Sequence, residues 1–303
     1  MTGVASRGTG AVPGSVAGGA VGPVEVCRYA VPTGDGLELV LHHWTGPGVR
    51  TALHYVHGIQ SHAGWLRETG PELVRRGVEV FVLDRRGSGR SPGPRGHAPS
   101  AEVLIDDQVR ALEETARRRS CDRVAALGQS FGGSLLAAVL VARPARLDPV
   151  VFCAPALGQQ RARGVGDPGR LDALRALRGT ESGPLFLQDR DYTDDPADLA
   201  RIGADPLVVR EVTAGLRAAM VGLEDVYMAA AVLPTSQPPL LAVPRHDPII
   251  DLDAARRVLL EKAPGTVERC FATDRHYLEF SADRVAYWDW LASAVLEPSG
   301  GER

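Results

Sequence analysis

The sequence predicts an α/β protein, with a mostly parallel sheet flanked by helices and a helical lid inserted between two of its strands. From about residue 24 to residue 155, short apolar runs alternate with segments of helical periodicity, which is typical of a parallel sheet covered on both faces. The alternation stops at Pro155 and resumes after Pro234. A chain of 303 residues can bury one large core of this kind.

The chain divides into a tail, a core in two pieces and an insert. Residues 1–23 are rich in Gly, Ala, Val and Pro and predict a disordered tail, because glycines and Pro13 interrupt every apolar run that a signal peptide would need. We assign residues 24–157 and 235–298 to the core and residues 158–234 to a helical cap. No stretch is long and apolar enough to span a bilayer, so we expect a cytoplasmic protein.

Composition narrows the possible partners. The net charge of -3 provides no basic surface for nucleic acid, and a small-molecule substrate is expected instead. The four cysteines lack the spacing of metal ligands, so no metal or cofactor is expected. Cys153 and Cys270 fall in predicted strands and are expected to be buried free thiols. The oligomeric state stays open.

The core elements follow from periodicity and from turn residues. A hairpin turn at residues 32–36 joins the first two strands, Gly77 ends a helix that reaches Arg76, and Ser100 caps the next helix. Helices are also predicted after Ser130 and at 253–262 and 282–296. The predicted strands are 24–31, 37–44, 51–56, 78–83, the run that begins at Val124, 149–153, 239–243 and 266–272.

The insert shows two helical patterns and no convincing strand. The stronger pattern spans residues 207–232, and its apolar side chains recur at helical spacing. An exposed stripe of this kind would be unfavourable, which favours a lid over the sheet edge against a surface excursion. The stripe consists of Val208, Val212, Leu216, Met220, Leu223 and Met228.

Ser130 is the candidate nucleophile. It lies in a Gly-x-Ser-x-Gly turn, residues 128–132, between an apolar strand and a run of helix formers, which is the order of a nucleophile elbow. A second match at residues 89–93 serves as a comparison. There Pro92 follows Ser91, so the backbone N–H that would bind an oxyanion is missing, and no helical run follows. We therefore interpret the second match as a loop.

A serine hydroxyl needs a base, and the base needs an orienting acid. His276 follows the last predicted strand, and Asp247 follows the strand before it, which preserves the order serine, acid, histidine. Asp251 and Asp253 compete with Asp247 for the role of the acid. Asp251 stands where the next helix begins, so its alternative role is that of an N-cap.

Two backbone N–H groups are needed to bind the oxyanion. Phe131, directly after the nucleophile, supplies one of them. Ile59 is our choice for the second, because Gly58 lets that loop approach the substrate closely. His57 is interpreted as a residue that holds this loop through hydrogen bonds.

With these residues placed, the chain resembles the α/β-hydrolase superfamily, in its monoacylglycerol lipase and lysophospholipase-like branch. The family's His-Gly-x-x-x-His-x-x-aromatic loop is matched by residues 57–65, and its Asp-x-Arg-Gly-x-Gly-x-Ser loop, structural in the family, by residues 84–91. The resemblance implies an α/β-hydrolase fold, the triad Ser130, Asp247 and His276, and oxyanion donors at Ile59 and Phe131. The cap matches no family motif, so substrate identity does not carry over.

We therefore expect a cofactor-independent serine hydrolase of carboxylic esters, such as monoacylglycerols or lysophospholipids. Trp65, Leu216 and Met220 are the candidate substrate contacts, and the cap is the candidate for transient contact with a lipid surface. Three alternatives are considered: a proline iminopeptidase-like aminopeptidase, an acyl or thioester hydrolase or transferase in biosynthesis, and a non-catalytic binding protein. An acidic cluster in the cap, Asp191, Asp194 and Asp195, could hold a substrate amine and would favour the first.

Overall fold

The computed structural model describes residues 23–144, 147–167 and 169–297, and these residues form ten strands. The predicted tail, apart from Pro23, and residue 298 of the predicted core lie outside them. The strands are β1 (Glu25–Pro32), β2 (Glu38–Thr45), β3 (Thr51–Val56), β4 (Val78–Leu83), β5 (Val124–Gln129), β6 (Val150–Cys153), β7 (Ser182–Pro184), β8 (Glu211–Thr213), β9 (Leu240–Pro244) and β10 (Val267–Phe271).

Ten α-helices and two short 3₁₀ helices accompany the strands in the described ranges. The 3₁₀ helices are Ala63–Leu66 and Leu278–Phe280. The α-helices are α1 (Thr69–Arg75), α2 (Ala101–Arg118), α3 (Phe131–Ala142), α4 (Gln159–Arg163), α5 (Arg170–Ala176), α6 (Asp189–Tyr192), α7 (Pro196–Ala204), α8 (Ala214–Ala229), α9 (Leu252–Lys262) and α10 (Arg284–Leu296).

Eight of the strands form one sheet in the order β1-β2-β4-β3-β5-β6-β9-β10. Strand β2 is antiparallel to both of its neighbours, and the remaining pairs are parallel. The mostly parallel α/β sheet predicted from the sequence is therefore confirmed. The parallel strands end at one edge of the sheet, where α/β proteins place their sites.

Helices cover both faces of this sheet, as the apolar strands require. The side chains of successive residues in a strand point to opposite faces. In β5, Ala126 packs in the layer that contains α2 and α3, while Leu127 packs in the layer that contains α1 and α10. Every residue of β3 and of β4 is buried. The centre of the sheet is thus a core without a solvated face.

The insert between β6 and β9 differs from its prediction. It contains five helices, α4 to α8, and a two-stranded antiparallel sheet of β7 and β8, where two helical patterns without a strand are predicted. The long pattern at residues 207–232 becomes a helix only at Ala214, because the Thr213 hydroxyl accepts a hydrogen bond from the N–H of Leu216 and caps α8. Thr213 and the two residues before it form β8 instead.

The four cysteines are all free thiols, and the exposure of one of them differs from the prediction. Cys153 is buried in β6, as expected. Cys270 is exposed, so its predicted burial is wrong. The reason is topological: Cys270 lies in β10, the outermost strand of the sheet, where four of five residues are exposed. A strand pattern alone does not distinguish an edge strand from a central one.

Candidate active site

Ser130 lies at the tip of a sharp turn between β5 and α3. Its backbone has φ 53° and ψ -121°, a left-handed conformation that is strained for a residue with a side chain. The turn is possible because Gly132 lacks a side chain: a Cβ there would lie 1.9 Å from the carbonyl oxygen of Val56. The N–H of Ser130 donates to the carbonyl oxygen of Cys153 at 3.0 Å, which fixes the tip against β6. This is the geometry of a nucleophile elbow.

The second Gly-x-Ser-x-Gly match has a different role. Ser91 is buried, its hydroxyl donates to the carbonyl oxygen of Asp84, and it accepts a hydrogen bond from the N–H of Val40 at 2.9 Å. These contacts tie the loop after β4 to strand β2. The interpretation of Ser91 as a structural loop residue agrees with these contacts.

Asp247 and His276 form a buried hydrogen-bonded pair. Nδ1 of His276 lies 2.7 Å from Oδ2 of Asp247, and both side chains are excluded from solvent. The other carboxylate oxygen accepts hydrogen bonds from the N–H groups of Ile249 and Ile250, at 2.8 and 2.9 Å. Burial opposes ionisation of Asp247, but His276 and these two donors outweigh it and lower its pKa. An ionised carboxylate can only accept, so Nδ1 of His276 carries the proton.

The competing carboxylates lie elsewhere. Asp251 caps α9 by accepting a hydrogen bond from the N–H of Ala254 at 3.0 Å, and Asp253 pairs with Arg256 at 3.0 Å. The structure therefore brings Asp247 to His276 and leaves Asp251 in the capping role that the sequence offered as its alternative.

Nε2 of His276 lies beside Gln129, the residue before Ser130. The Gln129 amide nitrogen is 3.3 Å from this ring nitrogen, and with Nδ1 protonated the amide is the donor. Among the described residues, no hydrogen bond joins Ser130 to His276 directly. Catalytic hydrogen bonds of this type commonly tighten only when substrate binds. Gln129 thus holds the acceptor nitrogen of His276 beside the residue that precedes the nucleophile candidate.

The cap holds the histidine loop from the other side. The N–H of His276 donates to the carbonyl oxygen of Asp191 at 2.9 Å, and the N–H of Tyr277 donates to that of Tyr192 at 3.3 Å. Both acceptors belong to α6. The orientation of His276 therefore depends on the cap as well as on the sheet.

His57 holds the loop that carries Ile59. Its Nδ1 lies 2.9 Å from the carbonyl oxygen of Gly58, and its Nε2 accepts a hydrogen bond from the N–H of Arg85 at 3.2 Å. Burial and the nearby Arg85 lower the pKa of His57 to about 3, so the ring is neutral and can donate and accept at once. These contacts agree with the loop-holding role predicted for this histidine.

Arg85 is a site residue that the sequence did not reveal. Its Nη2 donates to the carbonyl oxygens of Gly58 at 2.7 Å and Ile59 at 3.0 Å, and its guanidinium lies 4.9 Å from the centre of the Phe131 ring. It therefore contacts both predicted oxyanion residues. Burial lowers the pKa of Arg85 to about 10, against the effect of Asp84, and no carboxylate oxygen of the described residues lies within 4.0 Å of it. A buried positive charge thus stands behind the predicted oxyanion hole.

Ser130, Ile59 and Phe131 line a cavity of about 280 Å³ beneath the cap. Most of its wall is apolar, with Leu185 and Leu187 from the cap and Ile249 from the loop after β9. The described residues contain no group of three or more His, Cys, Asp or Glu side chains that could hold a metal ion.

Only one of the three predicted substrate contacts lines this cavity. Met220 of α8 does. Leu216 does not: it is buried in the core that α8 forms with α3, so the apolar stripe of this helix serves mainly packing. Trp65 does not line the cavity either: it is 1% exposed, and its indole N–H donates to Asp205 at 3.2 Å. Asp205 also binds His62 at 2.8 Å, so this part of the loop anchors the cap rather than the substrate.

Comparison with known proteins supports this fold. A family model described as "Serine aminopeptidase, S33" matches residues 47–278. The monoacylglycerol lipase of Mycolicibacterium smegmatis is 27% identical over 267 residues, which are 84% of this chain and 93% of that protein. The uncharacterized protein YnbC of Escherichia coli is 27% identical over 192 residues, 61% of this chain but only 32% of that protein.

Two solved structures share the fold. The monoacylglycerol lipase of Paleococcus ferrophilus has a TM-score of 0.69 at 22% identity, covering 90% of this chain and 99% of that one. A soluble variant of monoglyceride lipase from Saccharomyces cerevisiae, in complex with a substrate analogue, has a TM-score of 0.75 at 16% identity. The match covers 93% of this chain and 97% of that one.

The eight-stranded sheet with its strained serine turn is that of an α/β hydrolase. The family match and the similarity to monoacylglycerol lipases support the monoacylglycerol lipase-like branch. Because the family model matches well over half of the chain, the protein belongs to the serine aminopeptidase S33 family of these hydrolases. The resemblance drawn from the motifs is thereby confirmed.

Proposed function

We propose that this protein, a carboxylic ester hydrolase, cleaves mono-acyl esters through an acyl-enzyme on Ser130. The observation that carries the proposal is the buried pair of Asp247 and His276, with the acceptor nitrogen of the imidazole next to the residue that precedes Ser130. Pairs of this type activate a serine hydroxyl by removing its proton.

The proposed reaction has two halves. Oγ of Ser130 attacks the ester carbonyl while Nε2 of His276 takes the hydroxyl proton, and the imidazolium then gives this proton to the leaving alcohol. Water then attacks the acyl-enzyme while Nε2 of His276 takes a proton from it, and the imidazolium returns this proton to Oγ of Ser130 as the acid is released. Asp247 keeps Nδ1 protonated in both halves. The N–H groups of Ile59 and Phe131 are proposed to bind the oxyanion.

The apolar wall of the cavity supports an acyl chain as the buried part of the substrate. Monoacylglycerols and lysophospholipids both present one such chain and a polar head. The Mycolicibacterium smegmatis relative is named as a monoacylglycerol lipase, and 93% of its length is covered by this chain, which supports the same substrate class here.

The family description raises the alternative of an aminopeptidase, and the charges of the site argue against it. The acidic residues that could bind a substrate amine are engaged elsewhere: Asp191 accepts from the N–H of Gln188, Asp194 pairs with Arg275, and Asp195 caps α7. No described residue that lines the cavity is acidic. A substrate ammonium group would therefore have no counter-charge in this cavity.

We also propose that residues 158–234 act as a cap that touches lipid surfaces and that the protein is cytoplasmic. Phe186 supports the first point, because it lines the cavity and its side chain is 90% exposed. The four free cysteines support the second, since thiols persist in reducing compartments. No helix in the described part of the chain has the length and apolarity to cross a bilayer.

The proposal is tested with purified protein and 4-nitrophenyl esters of graded chain length, beside aminoacyl 4-nitroanilides. We expect ester cleavage without aminopeptidase activity and labelling of Ser130 by a fluorophosphonate. Ser130→Ala should lose both the ester cleavage and the labelling and should retain its melting temperature. Ser91→Ala is the matched control and should keep labelling and turnover. Labelling at Ser91, or full turnover by Ser130→Ala, would overturn the proposal.

A further inference from the structure

Two arginines from the cap line the cavity of Ser130. Arg163 is the last residue of α4, and Arg217 lies in the first turn of α8. The cavity wall contains no aspartate or glutamate among the described residues. The described cavity wall therefore combines an apolar surface with two positive charges and no negative one.

Several other arginines of the cap pair with carboxylates. Arg161 pairs with Glu224 and Asp225, and Arg175 pairs with Asp225 at 2.7 Å. Arg163 differs, since no carboxylate oxygen of the described chain lies within 4.0 Å of it. The described hydrogen bonds of Arg217 go from Nη2 to the carbonyl oxygens of Gly183 and Pro184, which carry no net charge.

The surroundings of Arg163 also lack a free counter-ion. The Arg163 side chain is exposed, yet desolvation and the charge of Arg170 lower its pKa, against the effect of Glu224. The carboxylate of Glu224 is already bound by the N–H groups of Gln160 and Arg161, at 2.9 and 2.8 Å. Its role is to hold the start of α4, which leaves Arg163 without a partner.

A guanidinium group prefers a carboxylate or a phosphate, with which it forms paired, charge-assisted hydrogen bonds. We propose that this cavity selects esters that carry one anionic group, a carboxylate or a phosphate, in addition to their apolar chain, and that Arg163 and Arg217 bind that group. The inference rests on the proposed ester hydrolysis at Ser130. It names the substrate class within that reaction and separates it from neutral monoacylglycerols.

Two pairs of substrates test the selectivity and locate the anion. The first pair compares 4-nitrophenyl hydrogen adipate with 4-nitrophenyl hexanoate, which places a carboxylate on the acyl side. The second compares monolauroylglycerol phosphate with monolauroylglycerol, which places a phosphate on the leaving side. We expect kcat/KM to favour the anionic member of at least one pair by about three- to tenfold, less in about 0.5 M NaCl because the arginines are partly exposed.

Variants that remove one arginine charge test whether Arg163 and Arg217 cause the preference for anionic substrates. Arg163→Gln and Arg217→Gln should each reduce severalfold the preference for the anionic substrate, measured as the ratio of kcat/KM within a pair. Arg175→Gln is the matched control: it removes the same charge from the cap at a residue that does not line the cavity, so the preference should stay. Equal rates for both members of both pairs, or an equal loss of preference in the control, would overturn the inference.

A binding measurement separates this inference from the proposed reaction. Calorimetry with Ser130→Ala should show that hexyl phosphate binds more tightly than hexanol and that Arg163→Gln removes the difference. If neutral esters were cleaved but hexyl phosphate and hexanol bound equally, only the anion site would be wrong. If no ester were cleaved but hexyl phosphate bound through Arg163, the anion site would stand and the proposed reaction would fail.

Discussion

The sheet and the cap differ in the contacts that determine their structure. Strands β3 and β4 are buried on both faces, and apolar runs of this kind have one stable arrangement, at the centre of a covered sheet. Apart from the 16-residue α8, the cap contains short elements: β7 and β8 have three residues each, and α6 has four. Helices of this length have little stability of their own. A strong sequence pattern therefore describes the sheet, and tertiary contacts determine the cap.

Ion pairs add to apolar packing in the cap. Asp225 of α8 is bound by Arg175 of α5 and by Arg161 of α4, so three helices meet at one carboxylate. Such contacts join residues that are 50 and 64 positions apart. Single-sequence periodicity carries no information about these partners.

The largest expected effect is a loss of kcat on substitution of Asp247, at the edge of the sheet where the parallel strands end. Asp247→Asn should lower kcat about 10⁴-fold, as the corresponding change does in serine proteases, because an amide stabilises the wrong tautomer of His276. Asp251→Asn is the matched control, since asparagine caps a helix about as well as aspartate, and both the rate and the melting temperature should hardly change. Both variants are assayed at neutral pH on one short ester. A large loss confined to Asp251→Asn would move the acid to Asp251.

The candidate triad could be predicted because each residue follows a strongly patterned strand. Ser130 follows β5, Asp247 follows β9 and His276 follows β10, and the ends of parallel strands meet at one edge. Arg85 and Gln129 could not be assigned from the sequence. Their roles depend on contacts with Gly58 and with His276, across 27 and 147 positions of the chain.

The next largest effect is expected for Arg85. Its substitution tests whether the sheet side of the site contains a functional residue besides the predicted triad. Arg85→Met keeps an apolar contact with Phe131 but loses the donors to Gly58 and Ile59. Because Arg85 acts through the oxyanion loop, we expect kcat to fall about 10- to 100-fold, less than the 10²–10³-fold of a direct donor. KM should change little, and binding of a trifluoromethyl ketone inhibitor should weaken in parallel with kcat.

Arg86 offers the matched control for this experiment. It follows Arg85 directly, but its guanidinium pairs with Asp107 at 2.6 Å and with Asp35 at 2.8 Å. Arg86→Met should therefore lower the melting temperature and leave kcat of the folded protein unchanged. If Arg85→Met also lowered only stability, Arg85 would have no part in oxyanion binding.

A smaller effect is expected in the cap, from two apolar residues of α8 that lie one helical turn apart. Met220 lines the cavity, whereas Leu216 is buried against α3. Met220→Ala should reduce kcat/KM for decanoate relative to acetate by about tenfold, because contact with roughly two methylenes at about 0.8 kcal/mol each is lost. Leu216→Ala should lower the free energy of unfolding by about 2–5 kcal/mol and leave the chain-length preference unchanged. The opposite assignment of effects would place Leu216 in the cavity wall.

The smallest expected effect is a change in how the stability of the sheet region depends on pH. None of the eight histidines lies in residues 158–234, and His54 is fully buried between β3 and α2. Its ring nitrogens bind Thr115 at 2.9 Å and Gln108 at 3.1 Å, and burial lowers the pKa of His54 to about 4. Between the unfolded pKa of about 6.5 and this value, the unfolded chain binds a proton that the folded chain does not. Stability is therefore fully present above about pH 6.5 and is lost as the pH falls.

His54→Gln tests this account in urea unfolding followed by tryptophan fluorescence. Each such histidine contributes up to about 1.4 kcal/mol of unfolding free energy per pH unit, so the variant should be less stable at neutral pH but lose less stability between about pH 6.5 and 5. That window lies above the range where most carboxylates titrate. His246→Gln is the matched control, because His246 is exposed and its removal should leave the slope unchanged. An unaltered slope in His54→Gln would mean that His54 is protonated within the folded sheet, and acid sensitivity would then have to come from other groups.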